Sequence, residues 1–316
     1  MIEIREGCVV GEVENNHPPL SVIPCSLAAA CENARIGCRD SKELNQLLMK
    51  RLGALEVVVG QNCRESLRGV LDCLGIQSPN DEVAVFTTSG KPYLSGCVSK
   101  TIDSAGSWVR ETITSKTKAI LVVHEFGYPY ENVSRFRQFE LPIVEDVAFS
   151  FNSRHLGGDL VGTRGDYAVF SFSKYFDIQI GGASARLNPD VPELPIEQNS
   201  NAVHYVKGVV LSQYSNIEPF AQTRIGLFKY YVERFRAIGV VPYFEDTMGV
   251  VPGVFLFRAP TDWNLVQLKE YLWKRGIQCT VFYGDDAFYL PLHHAMDEAT
   301  IDYLYWMVRS FLDENK

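Results

Sequence analysis

The sequence predicts an α/β protein: a large domain built on a mostly parallel sheet covered by helices, then a smaller C-terminal α/β domain. Three observations predict it. From about residue 55 to 187, apolar segments of strand length alternate with segments of helical periodicity. The strand-like segments are apolar almost throughout, as strands buried on both faces of a parallel sheet are. After the proline-rich NPDVPELP (188–195) the pattern changes to longer helices between fewer strands, which marks a second unit. The expected division is residues 1–190, with an N-terminal extension, and residues 191–316.

The elements follow in order. LEVVVG (55–60) is a β-branched strand, and RESLRGVLDCLGI (64–76) places Leu67, Val70, Leu71 and Leu74 on one helical face. Next come the strand DEVAVF (81–86), a helix over 93–106, and the strand KAILVVHEF (118–126). LPIVEDVA (141–148), DYAVFSF (166–172) and GASARL (182–187) complete the first set of strands. In the second unit, 218–239 reads as a long helix and GVFLFRAP (253–260) as a strand ended by proline. An acidic-started amphipathic helix (262–277), the strand CTVFYG and a closing helix (297–312) finish the chain.

With 46% hydrophobic and 22% charged residues, the 316-residue composition is that of a globular protein. A net charge of −8 argues against nucleic acid or an anionic membrane surface as partner. No run of 18 apolar residues suggests a membrane span, and the acidic, glycine-broken N-terminal stretch (1–16) lacks the build of a signal peptide. The eight cysteines form no CxxC pair, so reduced thiols in the cytoplasm are expected and a zinc site is not.

In an open α/β sheet ligands bind beyond the carboxyl ends of the strands. Four strands here end in reactive or polar residues: Gln61-Asn62-Cys63-Arg64, His124, Glu145-Asp146, and Ser171, Ser173 and Lys174. Asn62 stands before a helix with Glu65 three residues on, a capping-box spacing. That helix start offers N–H groups to a phosphate, with Arg64 as a further contact; simple capping with a solvated arginine is the plainer reading of the segment. Asp146, flanked by apolar sequence, needs a partner, either a protonated ring nitrogen or a structural one. His124 reads as a core histidine, and the pair His293-His294 as part of a loop before the last helix. Lys174 either closes its strand as a surface charge or acts as a nucleophile toward a carbonyl. Gly181-Gly182 would let backbone pass close to a bound ring. A lysine that forms an imine, an aspartate at a neighbouring strand end and a phosphate cradle at a helix start are together the parts pyridoxal 5′-phosphate requires.

Several motifs resemble the DegT/DnrJ/EryC1/StrS family of sugar aminotransferases, of fold type I. They are QNCRESLRGVLDCLGI…DEVAVF, VVHEFGYP (122–129), PIVEDVAFSF, GGDLVGTRGDYAVFSFSK and GIQCTVFY…LPLHHAMDEATIDYL. The resemblance runs from about residue 54 to the C-terminus, and the GD-x-x-x-FSF block before a lysine and a glycine pair is its most specific part. It implies pyridoxal 5′-phosphate, with Lys174 carrying the aldehyde as an imine and Asp146 holding the pyridine nitrogen protonated. Asn62, Cys63 and Arg64 would lie at the phosphate, with Ser171 or Ser173 as the hydroxyl contact. It further implies a homodimer, glutamate as amino donor and a nucleotide-linked keto sugar as acceptor, in polysaccharide or antibiotic sugar synthesis. A sugar dehydratase of this kind carries histidine in place of the lysine, and a cofactor-binding regulatory protein is the other reading. The chain departs from the pattern at Phe149, where the family has glutamine or histidine, and in its Asn-Cys-Arg phosphate loop. The Ser-to-Lys segment and the region between the two domains are also shorter than in most members.

Overall fold

The elements form a large sheet, a smaller sheet and a short two-stranded ribbon. The computed structural model describes residues 3–5, 8–10, 20–36, 41–245 and 248–315. Cys38 and most of the N-terminal stretch read for a leader lie outside them. The strands β1 (Glu3–Arg5) and β2 (Cys8–Val10) form a short antiparallel ribbon. The helices α1 (Leu27–Ile36) and α2 (Glu43–Leu52) follow, then β3 (Glu56–Gly60), α3 (Cys63–Cys73), β4 (Glu82–Thr87), α4 (Gly96–Asp103) and β5 (Ser107–Arg110). Next are β6 (Thr117–Val123), β7 (Ile143–Asp146), β8 (Tyr167–Ser171) and β9 (Gly182–Arg186). The remainder comprises α5 (Asn201–Gln213), α6 (Ile217–Phe235), β10 (Val241–Pro242), β11 (Val254–Arg258), α7 (Leu265–Lys274), β12 (Thr280–Phe282), β13 (Ala287–Pro291) and α8 (Glu298–Glu314).

The large sheet has seven strands in the order β3-β9-β8-β7-β6-β4-β5. Neighbours from β8 to β5 are parallel, and β9 alone runs against both of its neighbours. The strand ends expected to share an edge therefore do. Alternation along each strand supplies both faces of this sheet with a core. Val83, Val85, Ala119, Leu121, Val144 and Val169 pack under α3 and α4, whereas Val57, Val59, Ala168 and Phe170 pack under α2 and α5.

The smaller sheet is antiparallel, ordered β10-β11-β13-β12. Its period-two pattern divides again. Phe255, Phe257, Phe288 and Leu290 face the core built with α6, α7 and α8, while Val254, Leu256 and Ala287 face the large sheet through Phe126 and Tyr128.

Several expectations need correcting. The strands β5 and β13 and the helices α1, α2 and α5 were not anticipated. The helix expected from 93 spans only Gly96–Asp103, and the one expected from 262 starts after Asn264, whose side chain caps the Gln267 N–H at 3.0 Å. The proline-rich segment packs on the large sheet. Tyr167 Oη donates to the Pro192 carbonyl, the Leu194 N–H donates to Glu56 at 3.0 Å, and Leu194 is buried with Val169. Proline here supplies an extended backbone that packs. We propose that the division runs through α6, since Ile217 and Ala221 belong to the large core but Leu227 to Phe235 to the small one.

Candidate active site

Gly182 explains how two distant segments meet. It pairs with Ser171 on one side and Gly60 on the other, and Asn62 bridges to Gly181. A Cβ at Gly182 would lie 2.5 Å from the Asn62 carbonyl carbon and from the Cys63 nitrogen, and 2.8 Å from the Phe170 oxygen. Only glycine admits the first turn of α3 so close to β9. The Gly181 N–H donates to the Gln61 carbonyl at 2.6 Å, with Gly181 at φ 119°. The glycine pair thus serves this backbone crossing.

Asn62 caps α3: its Oδ1 accepts from the Glu65 N–H at 3.0 Å, as the spacing predicts, and its carbonyl accepts from Ser66. The start of an 11-residue helix is then fixed at the sheet edge, N–H groups first. Across the glycine strand, Ser171 is buried, and its hydroxyl lies 3.4 Å from that of Ser173. Arg64 stands apart. It is exposed and lines a cavity of about 400 Å³ between α3 and α4, with Arg68, Lys100 and Ser104 among its walls.

Asp146 ends β7, 4% exposed, and its Oδ1 accepts from the Ala148 N–H at 2.9 Å. Burial pushes its carboxyl above the ordinary value, while the Lys174 charge and the Ala148 N–H work against that push. Cys63, at the first turn of α3, feels the same pair. Burial drives its thiol well up, Asp146 adds to the rise and Lys174 opposes it. Asp146, Lys174 and Cys63 thus share one electrostatic neighbourhood.

Lys174 closes a single 3-10 turn (Phe172–Lys174) directly after β8. Its ammonium sits over the Phe149 ring, 3.7 Å from the centroid, a contact worth about 0.5–2 kcal/mol. Phe149 is wedged against Gly253, where a Cβ would approach its ring to 2.7 Å, and against Phe126 at 5.7 Å. Phe126 holds φ 56°, ψ 22°, a left-handed conformation rare for an aromatic residue, and the Gly253 N–H ties down its carbonyl at 2.7 Å. The small sheet therefore buttresses this edge directly.

His124 is, as read, a satisfied core residue. Its Nδ1 accepts from the Tyr130 N–H at 3.0 Å, so its Nε2 donates to Glu145 at 2.8 Å. Burial raises the Glu145 carboxyl, but His124 and the Gly165 and Arg164 N–H groups outweigh it and hold it below its ordinary value. His293 and His294 lie in the loop before α8, spent on the Ser21 carbonyl (3.1 Å) and Asp177 (3.1 Å).

Two residues escaped the sequence reading. Phe149 was noted only for its identity, not for its place under the lysine. Arg224, whose Nη2 donates to the Lys174 carbonyl at 2.7 Å, was missed altogether. Its signal was available: a charged residue on the otherwise apolar α6 stripe of Ile217, Ala221, Phe228, Tyr231 and Phe235.

Residues 35–189 match the model of the DegT/DnrJ/EryC1/StrS aminotransferase family. GDP-perosamine synthase of Escherichia coli O157:H7 is 34% identical over 122 residues, covering 34% of this chain and 33% of that protein. The erythromycin biosynthesis sensory transduction protein EryC1 of Saccharopolyspora erythraea is 27% identical over 220 residues, covering 62% and 58%. The chain thus matches between a third and three-fifths of the length of these two relatives. Among solved structures, the aminotransferase TlmJ of Streptoalloteichus hindustanus superposes with a TM-score of 0.75 at 19% identity, over 95% of this chain and 100% of that one. Spr1654 of Streptococcus pneumoniae in its PLP form gives 0.74 at 18%, over 94% and 99%. The fold is therefore that of the fold type I aminotransferases. Residues 35–189, just under half of the chain, are thus similar to the DegT/DnrJ/EryC1/StrS aminotransferase family.

Proposed function

We propose that the protein is a pyridoxal 5′-phosphate-dependent aminotransferase that moves an amino group from an amino acid, glutamate by family resemblance, to a keto sugar carried on a nucleotide. One observation carries the reading: in a chain similar to this family, an amine, a buried carboxylate and a capped helix start lie at one edge of one sheet. The donor set fits the cofactor, with an amine for its aldehyde, a carboxylate for its ring nitrogen, and N–H and hydroxyl donors for its phosphate. The α3 N–H groups at Cys63 and Arg64, with Ser171 and Ser173, would hold the phosphate. Asp146 would hold the ring N–H⁺, its buried charge then finding a full partner.

When bound, the cofactor supplies an electron sink adjacent to the amino-bearing carbon. Lys174 supplies the amine that carries it and, once free, moves a proton to and from the donor's α-carbon through Nζ. Phe149 excludes water from one side of that amine. A homodimer, the cytoplasm and a role in polysaccharide or antibiotic sugar synthesis belong to this same reading.

One observation favours a second reading, a cofactor-binding regulatory protein: Phe149 stands where the family places a hydrogen-bonding side chain. The lysine itself argues against the dehydratase. The visible spectrum separates the readings. A cofactor band that shifts on adding glutamate supports transamination, a static band supports the regulatory reading, and no band sinks both. Lys174→Ala is expected to abolish the lysine-bound band and cut turnover by about 10³-fold or more, and full activity in that variant would remove Lys174 from the mechanism. Mass spectrometry of nucleotide keto sugars incubated with glutamate identifies the acceptor.

A further inference from the structure

Arg224 is 1% exposed. A guanidinium is costly to bury without a carboxylate partner. Its acceptors in the structure are main-chain oxygens: Nη2 donates to Lys174 at 2.7 Å and Nη1 to Leu292 at 3.5 Å. The Tyr175 ring lies 5.2 Å from its Cζ, and its Nε has no partner among the described residues. Asp177, the acid whose charge it feels, is bonded to His294. Burial lowers the guanidinium to about 10, so the charge persists at neutral pH.

The geometry around Lys174 makes the contact consequential. The two N–H groups that follow the lysine, of Tyr175 and Phe176, both return to the Phe172 carbonyl. The Lys174 carbonyl, at the end of its 3-10 turn, is left to Arg224. The helix behind Arg224 links the two cores: Ile217 and Ala221 pack with Phe172 and Phe176, and Leu227 and Phe228 pack with Phe255. Arg224 lies between, and Leu292, directly after β13, belongs to the small core.

We propose that Arg224 is a positioning residue: it pins the main chain of Lys174 to the helix joining the two lobes, so that the placement of the small lobe fixes where the lysine amine stands. The proposal rests on Lys174 being the cofactor lysine, and its test separates the two. Arg224→Met removes the donors and the charge at similar length, and Arg224→Lys keeps the charge without the planar fork.

In the cofactor-free protein, amide hydrogen exchange of residues 172–178 is expected to quicken about tenfold or more in Arg224→Met and less in Arg224→Lys, with β6 unchanged. With pyridoxal 5′-phosphate added, attachment at Lys174, trapped by borohydride and mapped by peptide mass spectrometry, is expected to slow by about tenfold in Arg224→Met, with partial rescue in Arg224→Lys. The absorbance of the attached cofactor should also titrate at a shifted pH. Exchange and attachment within about twofold of the wild type in folded variants would overturn the proposal. If Arg224→Met does not fold, Arg224→Lys decides on the same readouts. If the wild type attaches no cofactor at Lys174, the functional reading fails and the exchange data alone decide the pin.

Discussion

The two sheets bury different things. Across β11 and β13 the pairs facing the small core are Phe255 with Leu290 and Phe257 with Phe288, all of them fully buried and apolar. At the strand ends of the large sheet the buried residues include Thr87, His124, Glu145, Asp146 and Ser171. Apolar burial stabilises a fold, whereas buried polar groups must each find a partner. Most of those at the large edge do: His124 has Glu145, and Glu145 has two further N–H groups. Asp146 accepts one described N–H bond and has its carboxyl raised by burial, and it stands in the electrostatic neighbourhood of the lysine. The carboxyl that burial raises is thus the one to which the functional reading gives a ligand.

The contrast can be broken at either end. The largest effect is expected in the small sheet. Phe255, stacked on Tyr231 at 4.4 Å, should lose about 3–5 kcal/mol on Phe255→Ala, read by calorimetry. If the edge is independently built, the folded fraction of that variant keeps the cofactor band. A band lost from the folded fraction would show that the regions are not separable.

A smaller effect is expected at Glu145. Its folded pKa is depressed, so its contribution is present above the unfolded value near 4.5 and lost as pH falls through the folded one. Glu145→Gln should cost about 1–3 kcal/mol at pH 7, an amount that shrinks in acid. A difference in Tm that stays constant from pH 7 to pH 3 would remove the charge from the explanation.

The smallest effect on stability, with opposite sign, is expected at Asp146. Its folded pKa is raised, so the ionised group costs stability once the pH passes the unfolded value near 3.8, and costs it fully above the folded one. The cofactor-free Asp146→Asn protein should therefore melt slightly higher than the wild type at pH 7, with the gap closing toward pH 3. Turnover in the same variant should fall by about 10²–10³-fold. A lower Tm at pH 7 would mean that Asp146 is a structural partner and not a waiting site.

The legible parts were those with local causes. The apolar runs 55–60, 81–86, 118–126, 141–148 and 166–172 all became strands of one sheet, because a near-continuous apolar run of strand length leaves no helical period to confuse the reading. Asn62 was read as a cap because capping is a contact three residues long. β5 was missed because SWVR is half-exposed at the sheet edge and carries no clear period. The proline-rich 188–195 packs on the large sheet, which its sequence does not record, because proline marks an extended backbone whether it links or packs.

The sequence by itself determined the alternating order of strands and helices, the polar residues at the strand ends, and a lysine, an aspartate and a capped helix among them. Those follow from periodicity and short-range chemistry, which a linear pattern records. Only the tertiary structure decided that Gly182 is glycine because α3 crosses it, that the Lys174 amine rests on Phe149, and that Arg224, fifty residues further along, holds the lysine's carbonyl. Each of these is a contact between segments whose separation in sequence carries no period. Close packing, not propensity, selects the residue there.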